Sequence, residues 1–212
     1  MEFPHPLINK YSESFSSPET DVLRALNRET QANVLMPRML SGHLQGRVLA
    51  MLSCMIHPKT ILEIGTFTGY SAICMAEGLD KNGQLHTIDI NDELTPLVKS
   101  YVKKAGMDNM IFLHIGDAAK IIPELSMKFD LVFIDADKIN YSKYYDLVFD
   151  KVNDKKFIIA DNVLWDGKVL DVDNADKDTK AIHAFNEKIK NDKRVEQVLL
   201  PIRDGLMIVR KH

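Results

Sequence analysis

Acidic and amide side chains follow two apolar runs of this chain. Asp135 comes directly after the first run, with Lys138 three residues further on, and Asp161 and Asn162 follow the second run. Short runs rich in β-branched and aromatic residues are typical of buried strands in a parallel sheet, and ligands bind beyond the carboxyl ends of such strands. Carboxylate and amide oxygens are the ligands that Mg²⁺ and similar hard cations prefer. The sequence therefore predicts a metal-assisted active site at which Asp135, Asp161 and Asn162 meet.

A glycine-containing turn follows the first predicted strand. Gly65 and Gly69 are separated by three residues, which differs from the G-x-G-x-x-G of dinucleotide-binding proteins and lacks the Gly-Lys-Ser/Thr of a phosphate loop. Asp89 ends the next strand, ~20 residues past the loop, where a carboxylate accepts hydrogen bonds from ribose hydroxyls. Asp117 and Ala118 follow the third strand and are placed to border an adenine ring. Together these features predict a site for a nucleoside without a pyrophosphate.

Repeated strand and helix units must position these residues. The predicted strands are Thr60–Ile64, Gln84–Asp89, Met110–Ile115, Phe129–Ile134, Lys156–Ala160, Val195–Pro201 and Leu206–Arg210. The predicted helices are Glu19–Glu29, Pro37–Ile56, Tyr70–Leu79, Glu93–Ala105, Ala118–Leu125, Tyr141–Lys151 and Asp178–Lys190. Asp204-Gly205 indicates a tight hairpin turn between the last two strands. We predict an α/β fold with a mostly parallel sheet, a C-terminal antiparallel hairpin and helices on both faces.

Composition narrows the class of protein. The 212 residues are 45% hydrophobic and carry a formal net charge of -3, which excludes extensive disorder and gives no field that favours nucleic acid or anionic membranes. No apolar stretch reaches the ~18 residues of a membrane span, and no secretory signal is recognisable. We expect a cytoplasmic protein of one domain, residues 1–212, with a helical cap over 1–57 and an α/β core over 58–212. Cys54 and Cys74 are predicted to be buried free thiols.

Three segments resemble a known enzyme family. Glu63–Ser71, Ile134–Lys138 and Asp161–Gly167 are similar to the cation-dependent caffeoyl-CoA/catechol-type O-methyltransferases, in particular their bacterial branch, over about residues 34 to 210. The resemblance implies the Rossmann-like class I methyltransferase fold with a seven-stranded sheet. It also implies S-adenosylmethionine and a divalent cation (Mg²⁺, Mn²⁺ or Ca²⁺) as cofactors, and a homodimer.

The resemblance also assigns roles to individual residues. Asp135, Asp161 and Asn162 match metal ligands, and Lys138, beside Asp135, matches a proposed catalytic base. The positions that match contacts to S-adenosylmethionine are Ser41, Glu63, Gly65, Thr66, Ser71, Asp89, Ala118, Asp135 and Asp137. Asp166 matches a position near the substrate, and Trp165 either covers an aromatic substrate or packs structurally. Tyr141, Tyr144 and Tyr145 are predicted to be core or interface residues.

The number of predicted metal ligands also indicates what kind of substrate the site accepts. Mg²⁺ takes six oxygens, so three protein ligands leave positions for a water and two neighbouring substrate hydroxyls, which favours a catechol-like small molecule. A bound cation lowers the pKa of a phenol, and a nearby lysine whose own pKa falls suits a general base. Three alternatives remain: an S-adenosylmethionine-binding protein without catalysis, a receiver-like domain with Asp135 as phosphoacceptor, and an NAD-dependent reductase. The reductase is disfavoured because no tyrosine has a lysine four residues later.

Overall fold

A seven-stranded sheet forms the centre of the protein. The computed structural model describes residues 5–173 and 175–212. The strands are β1 (Thr60–Ile64), β2 (Gln84–Asp89), β3 (Ile111–Ile115), β4 (Phe129–Ile134), β5 (Val152–Ala160), β6 (Val195–Leu200) and β7 (Leu206–Lys211). Their order in the sheet is β3-β2-β1-β4-β5-β7-β6, and every neighbouring pair is parallel except the two that involve β7. The predicted fold class is confirmed.

Helices cover both faces of this sheet. They are α4 (Tyr70–Ala76), α5 (Thr95–Lys104), α6 (Ala118–Glu124), α7 (Tyr141–Phe149) and α8 (Lys177–Asn191). Because side chains of a strand alternate between the two faces, Leu131 and Phe133 of β4 pack with α4 and α5, while Val132 and Ile134 pack with α6, α7 and α8. All six residues of β4 are buried, which explains why its sequence, apart from Asp130, is apolar rather than alternating.

A helical cap precedes the first strand. It contains α1 (Pro6–Ser14), α2 (Asp21–Asn33) and α3 (Gly42–Ile56), and α2 and α3 pack on the sheet through the same apolar cluster as α4. The sequence did not predict α1, and it predicted one helix where the structure has two pieces. Residues Pro37–Met39 form a single 3₁₀ turn, and α3 starts only at Gly42. Gly42 has φ +73°, a left-handed conformation that interrupts a continuous right-handed helix.

The C-terminal hairpin meets the loop that follows β5. The predicted hairpin between β6 and β7 is confirmed, although β7 lies inside the sheet and β6 forms its edge. Gly205 in the turn has φ +89°, and a Cβ there would lie 2.6 Å from Leu164 Cγ. The backbone N–H of Leu164 donates to the carbonyl of Asp204 at 2.9 Å. The hairpin therefore fixes the path of the loop that carries residues 162–166.

Two further expectations concern the cysteines and membranes. Both thiols are free, and Cys74 is buried, but the prediction that Cys54 is buried is wrong. The buried face of α3 includes Leu49, Ala50 and Ser53, and Cys54 is rotated about 100° from Ser53 toward solvent. In the described part of the chain, no helix combines the length and apolar character needed to cross a membrane.

Candidate active site

A large cavity opens at the carboxyl edge of the sheet, with a volume of about 1580 Å³. Hydrogen bonds continue the sheet by one residue past the strand ends, from Gly65 to the carbonyl of Ile88 and from Asp135 to that of Ile64. Asp161 likewise donates to the carbonyl of Ile134 at 3.0 Å. Because of this register, Gly65, Asp135 and Asp161 lie level with one another along the cavity.

The structure places nearly all predicted site residues in the wall of this cavity. The lining includes Ser41, Gly65, Thr66, Ser71, Asp89, Ala118, Asp135, Asp137, Lys138, Asp161, Asn162, Trp165 and Asp166. Glu63 is the exception, because its side chain is fully buried beneath the glycine loop and does not line the cavity.

The glycine loop passes directly against the end of β4. Gly65 has φ +104°, and a Cβ at this position would overlap the carbonyl oxygen of Asp135. Only glycine lets the two chain segments approach this closely. Gly69, with φ +84°, begins α4 at the far end of the loop. The loop that would hold one ligand is thus in direct contact with the strand end that supplies Asp135.

Buried hydrogen bonds hold the loop from below. Glu63 accepts from the hydroxyl of Ser71 and from that of Thr87, both at 2.5 Å, and Thr87 in turn contacts the hydroxyl of Thr66 at 2.5 Å. Burial raises the pKa of Glu63 to about 8, although the two hydrogen bonds oppose the shift. Glu63 therefore supports two cavity residues rather than facing a ligand itself.

Asp89 lies in the wall of the cavity, at the end of β2. Its carboxylate accepts from the backbone N–H of Phe67 at 2.7 Å and from that of Asn91 at 2.9 Å. A carboxylate has about four acceptor positions, so two remain for a ligand with paired hydroxyls. Asp89 thereby links the glycine loop to the segment after β2 and still faces the cavity.

A cation already sits among the predicted metal ligands. The Lys138 ammonium donates to Asp135 Oδ1 at 3.0 Å, to Asn162 Oδ1 at 2.7 Å and to the hydroxyl of Tyr141 at 2.6 Å. Asp161 is adjacent, since its Oδ1 accepts from the backbone N–H of Asn162 at 2.7 Å. Burial, followed by the charge of Asp135, raises the pKa of Asp161, while contacts from Gln45 and Lys138 oppose that shift.

The donor chemistry of this cluster fits a hard divalent cation. Across residues 5–173 and 175–212 no group of three or more His, Cys, Asp or Glu side chains could hold a metal. The cluster instead combines two carboxylates with the amide oxygen of Asn162, and oxygen sets of this kind suit Mg²⁺, Mn²⁺ or Ca²⁺. Burial is the main cause of the raised pKa of Asp161 and repulsion by Asp135 the second, and a bound cation would favour the charged carboxylate against both.

Comparison with known proteins identifies the family. A family model described as "O-methyltransferase" matches residues 13–212. The chain belongs to this O-methyltransferase family. It is 34% identical over 217 residues to a probable caffeoyl-CoA O-methyltransferase 2 of Dictyostelium discoideum, with 100% of this chain and 94% of that protein covered. It is 32% identical to a catechol O-methyltransferase of Niastella koreensis, with 91% of this chain and 89% of that protein covered.

Solved structures support the assignment of this chain to the O-methyltransferase family. An O-methyltransferase from Bacillus cereus in complex with SAH superposes with a TM-score of 0.90 at 26% identity over 97% of each chain. TomG from Streptomyces achromogenes in complex with SAM, described as involved in tomaymycin synthesis, has a TM-score of 0.88 at 26% identity, covering 97% of this chain and 96% of that one. The resemblance inferred from three short segments is confirmed, and the reductase and receiver-domain alternatives are wrong.

Sequence reasoning missed three polar side chains of the O-methyltransferase site. Tyr141 is buried, as predicted, but its hydroxyl contacts Lys138 and also donates to the carbonyl of Asp161 at 3.1 Å. Gln45 and Arg203 come from the cap and the hairpin and contact one another at the edge of the cluster. The three-residue spacing of Asp135, Lys138 and Tyr141 could have pointed to Tyr141, whereas no local pattern marks the other two.

The loop after β5 has an unusual backbone. Trp165 and Asp166 have φ values of 48° and 54°, in the left-handed region that non-glycine residues rarely adopt. The Trp165 ring lies 5.8 Å from the Lys138 ammonium and 5.7 Å from that of Lys168. Strained conformations of this kind concentrate at functional sites, which supports a role for this loop in the cavity wall of the O-methyltransferase.

Proposed function

We propose that this protein transfers the methyl group of S-adenosylmethionine to one hydroxyl of a vicinal-dihydroxy, catechol-like small molecule, with a divalent cation bound by Asp135, Asp161 and Asn162. One observation carries the proposal: a cation, the Lys138 ammonium, is held between Asp135 and Asn162 in the same cavity as the glycine loop. The SAH and SAM complexes of similar enzymes and the catechol O-methyltransferase among the relatives support the two ligands.

The glycine loop and Asp89 form the proposed cofactor end of the cavity. The unused acceptor positions of Asp89 suit the ribose hydroxyls, and Ala118, which is largely buried, borders the space that an adenine would fill. Gly65 allows the cofactor to approach the backbone closely. Bound there, S-adenosylmethionine supplies an electrophilic methyl group, and these residues contribute by orienting it toward the acceptor.

The Asp135 cluster forms the proposed acceptor end. A divalent cation at Asp135, Asp161 and Asn162 supplies charge that lowers the pKa of an acceptor hydroxyl. Lys138 Nζ lies 3.0 Å from Asp135 Oδ1. With a divalent cation in place of its ammonium charge, the neutral amine form of Lys138 is the group that we propose takes the hydroxyl proton and becomes an ammonium again. Tyr141 restrains the lysine through its hydroxyl, so that the amine stays directed into the cavity. Most of the rate gain is expected from positioning and electrostatics.

A single assay tests the reaction. The purified protein is incubated with S-adenosylmethionine and catechol after treatment with EDTA, with and without added Mg²⁺, Mn²⁺ or Ca²⁺, and S-adenosylhomocysteine is quantified. We expect turnover only when a divalent cation is added. Equal turnover in EDTA would contradict the metal dependence, and no turnover on any vicinal-dihydroxy aromatic would contradict the substrate class.

Two matched substitutions test which end of the cavity binds the cation and which end binds S-adenosylmethionine. Asp161→Asn keeps the shape of the side chain but removes charge from the cation site, so turnover should fall about 100-fold while the Kd for S-adenosylmethionine changes less than about threefold. Asp89→Asn should do the reverse, raising that Kd about tenfold because charged hydrogen bonds are lost. Isothermal titration and initial rates measure both. The assignment is wrong if Asp161→Asn weakens cofactor binding as much as Asp89→Asn does.

A further inference from the structure

Gln45 brings a buried amide from the helical cap to the candidate cation site. It lies in α3 with only 1% of its surface exposed, and its Nε2 donates to Asp161 Oδ2 at 2.5 Å. The two residues are 116 positions apart in the chain. A buried amide directed at a buried carboxylate is a specific arrangement, because an unpartnered polar group at either position would be costly.

Arg203 fixes the orientation of that amide. Its Nη1 donates to Gln45 Oε1 at 3.2 Å, to the carbonyl of Leu40 at 3.1 Å and to the carbonyl of Ser41. A guanidinium has no acceptor, so the oxygen of Gln45 must face Arg203 and its nitrogen must face Asp161. The chain of contacts runs from the C-terminal hairpin through the cap to the site.

These contacts leave the Asp161 carboxylate little freedom. Its Oδ1 accepts from the backbone N–H of Asn162 and its Oδ2 accepts from Gln45, so both oxygens are held in place before any ligand arrives. Metal ligands are commonly oriented by such partners, whose removal weakens metal binding by about 10- to 100-fold. We infer that Gln45, oriented by Arg203, is a positioning residue that holds the Asp161 carboxylate in the orientation a divalent cation requires. This inference rests on the metal dependence proposed above.

The first test removes the donor and keeps the shape. Gln45→Met has nearly the same volume but cannot donate to Asp161, and Ser53→Ala is the matched control. Ser53 lies on the same helix, is fully buried, and donates to the carbonyl of Met75 at 2.6 Å, away from the cavity. The readout is the Kd of Mn²⁺, measured by electron paramagnetic resonance on the protein without cofactor or acceptor. We expect Gln45→Met to weaken Mn²⁺ binding about tenfold or more, with the Kd unchanged in Ser53→Ala.

The outcomes separate this inference from the proposed function. If the unaltered protein does not bind Mn²⁺, the metal dependence itself fails. If it binds Mn²⁺ and Gln45→Met binds equally well, the positioning role of Gln45 is overturned. If Ser53→Ala weakens Mn²⁺ binding as much as Gln45→Met does, the effect is one of general stability, and the inference is also overturned.

Arg203 supplies a second variant that does not touch the predicted ligands. Arg203→Lys keeps the charge, but its side chain is one bond shorter than the arm that carries Nη1, which makes all three contacts to the two carbonyls and the amide oxygen of Gln45. It should weaken Mn²⁺ binding severalfold in the unaltered background and have no further effect when Gln45→Met is already present, because both act through the same amide. If the two substitutions have additive effects on Mn²⁺ binding in the double variant, Arg203 does not act through Gln45, and this part of the inference is overturned. Should Gln45→Met fail to fold, an unchanged Kd in Arg203→Lys alone overturns it.

Discussion

Glu63 is a carboxyl group whose folded environment opposes its charge. It is fully buried, and burial raises its pKa from an ordinary 4.5 to about 8. Between these two pH values the folded protein binds a proton that the unfolded chain has lost. The free energy of unfolding contributed by Glu63 is therefore greatest below about pH 4.5 and decreases as the pH rises toward about 8.

Replacing the carboxyl of Glu63 by an amide should remove its contribution to the pH dependence of the free energy of unfolding. Glu63→Gln keeps hydrogen-bonding capacity toward Ser71 and Thr87 but has no charge to desolvate. We expect Glu63→Gln to gain stability over the unaltered protein progressively as pH rises from about 5 to about 8, measured by urea unfolding. Asp161 also has a raised pKa, but it is present in both proteins and cancels from the difference. A stability difference that stays constant with pH would contradict the prediction.

Site residues were predictable from sequence where each one follows a strand. Asp89, Asp135 and Asp161 sit at or just past strand ends, so strand prediction alone places them at one edge of the sheet. Gln45 and Arg203 were not predictable, because their partners are more than 100 positions away and no short pattern records the contact. The burial of Glu63 beneath the cavity likewise depends on three-dimensional packing.

Two apolar segments lie in the wall of the cavity. Leu35, Met36 and Met39 precede α3, and Leu170 ends the 3₁₀ segment that begins at Trp165, and all line the cavity. Leu35 and Leu170 keep 87% and 82% of their surface exposed, which is unusual for leucine. Methionine adapts its shape to varied partners. These elements therefore favour an acceptor that carries an apolar substituent next to its paired hydroxyls.

A pair of substrates tests that preference. The double variant Met36→Ala/Met39→Ala should lower kcat/KM for 4-propylcatechol about tenfold and leave kcat/KM for catechol nearly unchanged, since each buried CH₂ contributes about 0.8 kcal/mol. Met51→Ala/Met55→Ala is the control, because both methionines are exposed on α3 and do not line the cavity. Equal losses on both substrates would contradict an apolar contact with the substituent.

Element prediction succeeded where hydrophobic pattern and turn chemistry agree. The bounds of β1, β2 and β4 match the predicted ones, since each strand ends at, or directly before, a glycine turn or an acidic residue. The prediction failed at the cap, where α1 lacks any buried residue and so carries no packing signal, and where Gly42 divides the predicted helix. A local sequence pattern does not reveal whether two adjacent helical segments form one continuous helix.

At the scale of the whole molecule, α1 presents an apolar surface that its own chain leaves uncovered in the described structure. Leu7, Ile8 and Tyr11 of α1, and Phe15 directly after it, are between 60% and 77% exposed, and no residue of α1 is buried. A nine-residue helix is only marginally stable without tertiary packing. A second copy of the chain, as the family resemblance implies, is the partner that we expect to cover this surface.

Light scattering after size-exclusion chromatography measures the assembly directly. We expect a dimer, and we expect Ile8→Lys/Phe15→Lys to shift it to a monomer because two charges would enter the apolar contact. Met55→Lys, at an exposed apolar residue on α3, is the control and should remain dimeric. A monomeric unaltered protein, or a dimer that survives the double substitution, would contradict the role of α1.

Trp165 is the one tryptophan in the chain, and it stands in the wall of the cavity between two lysine ammonium groups. Indole emission from the entire polypeptide therefore originates at a single loop. Its intensity and wavelength should respond when an aromatic compound enters the acceptor end, and they should be insensitive to changes in α5. The protein thus carries a built-in optical probe of ligand entry, which needs neither a label nor an engineered residue.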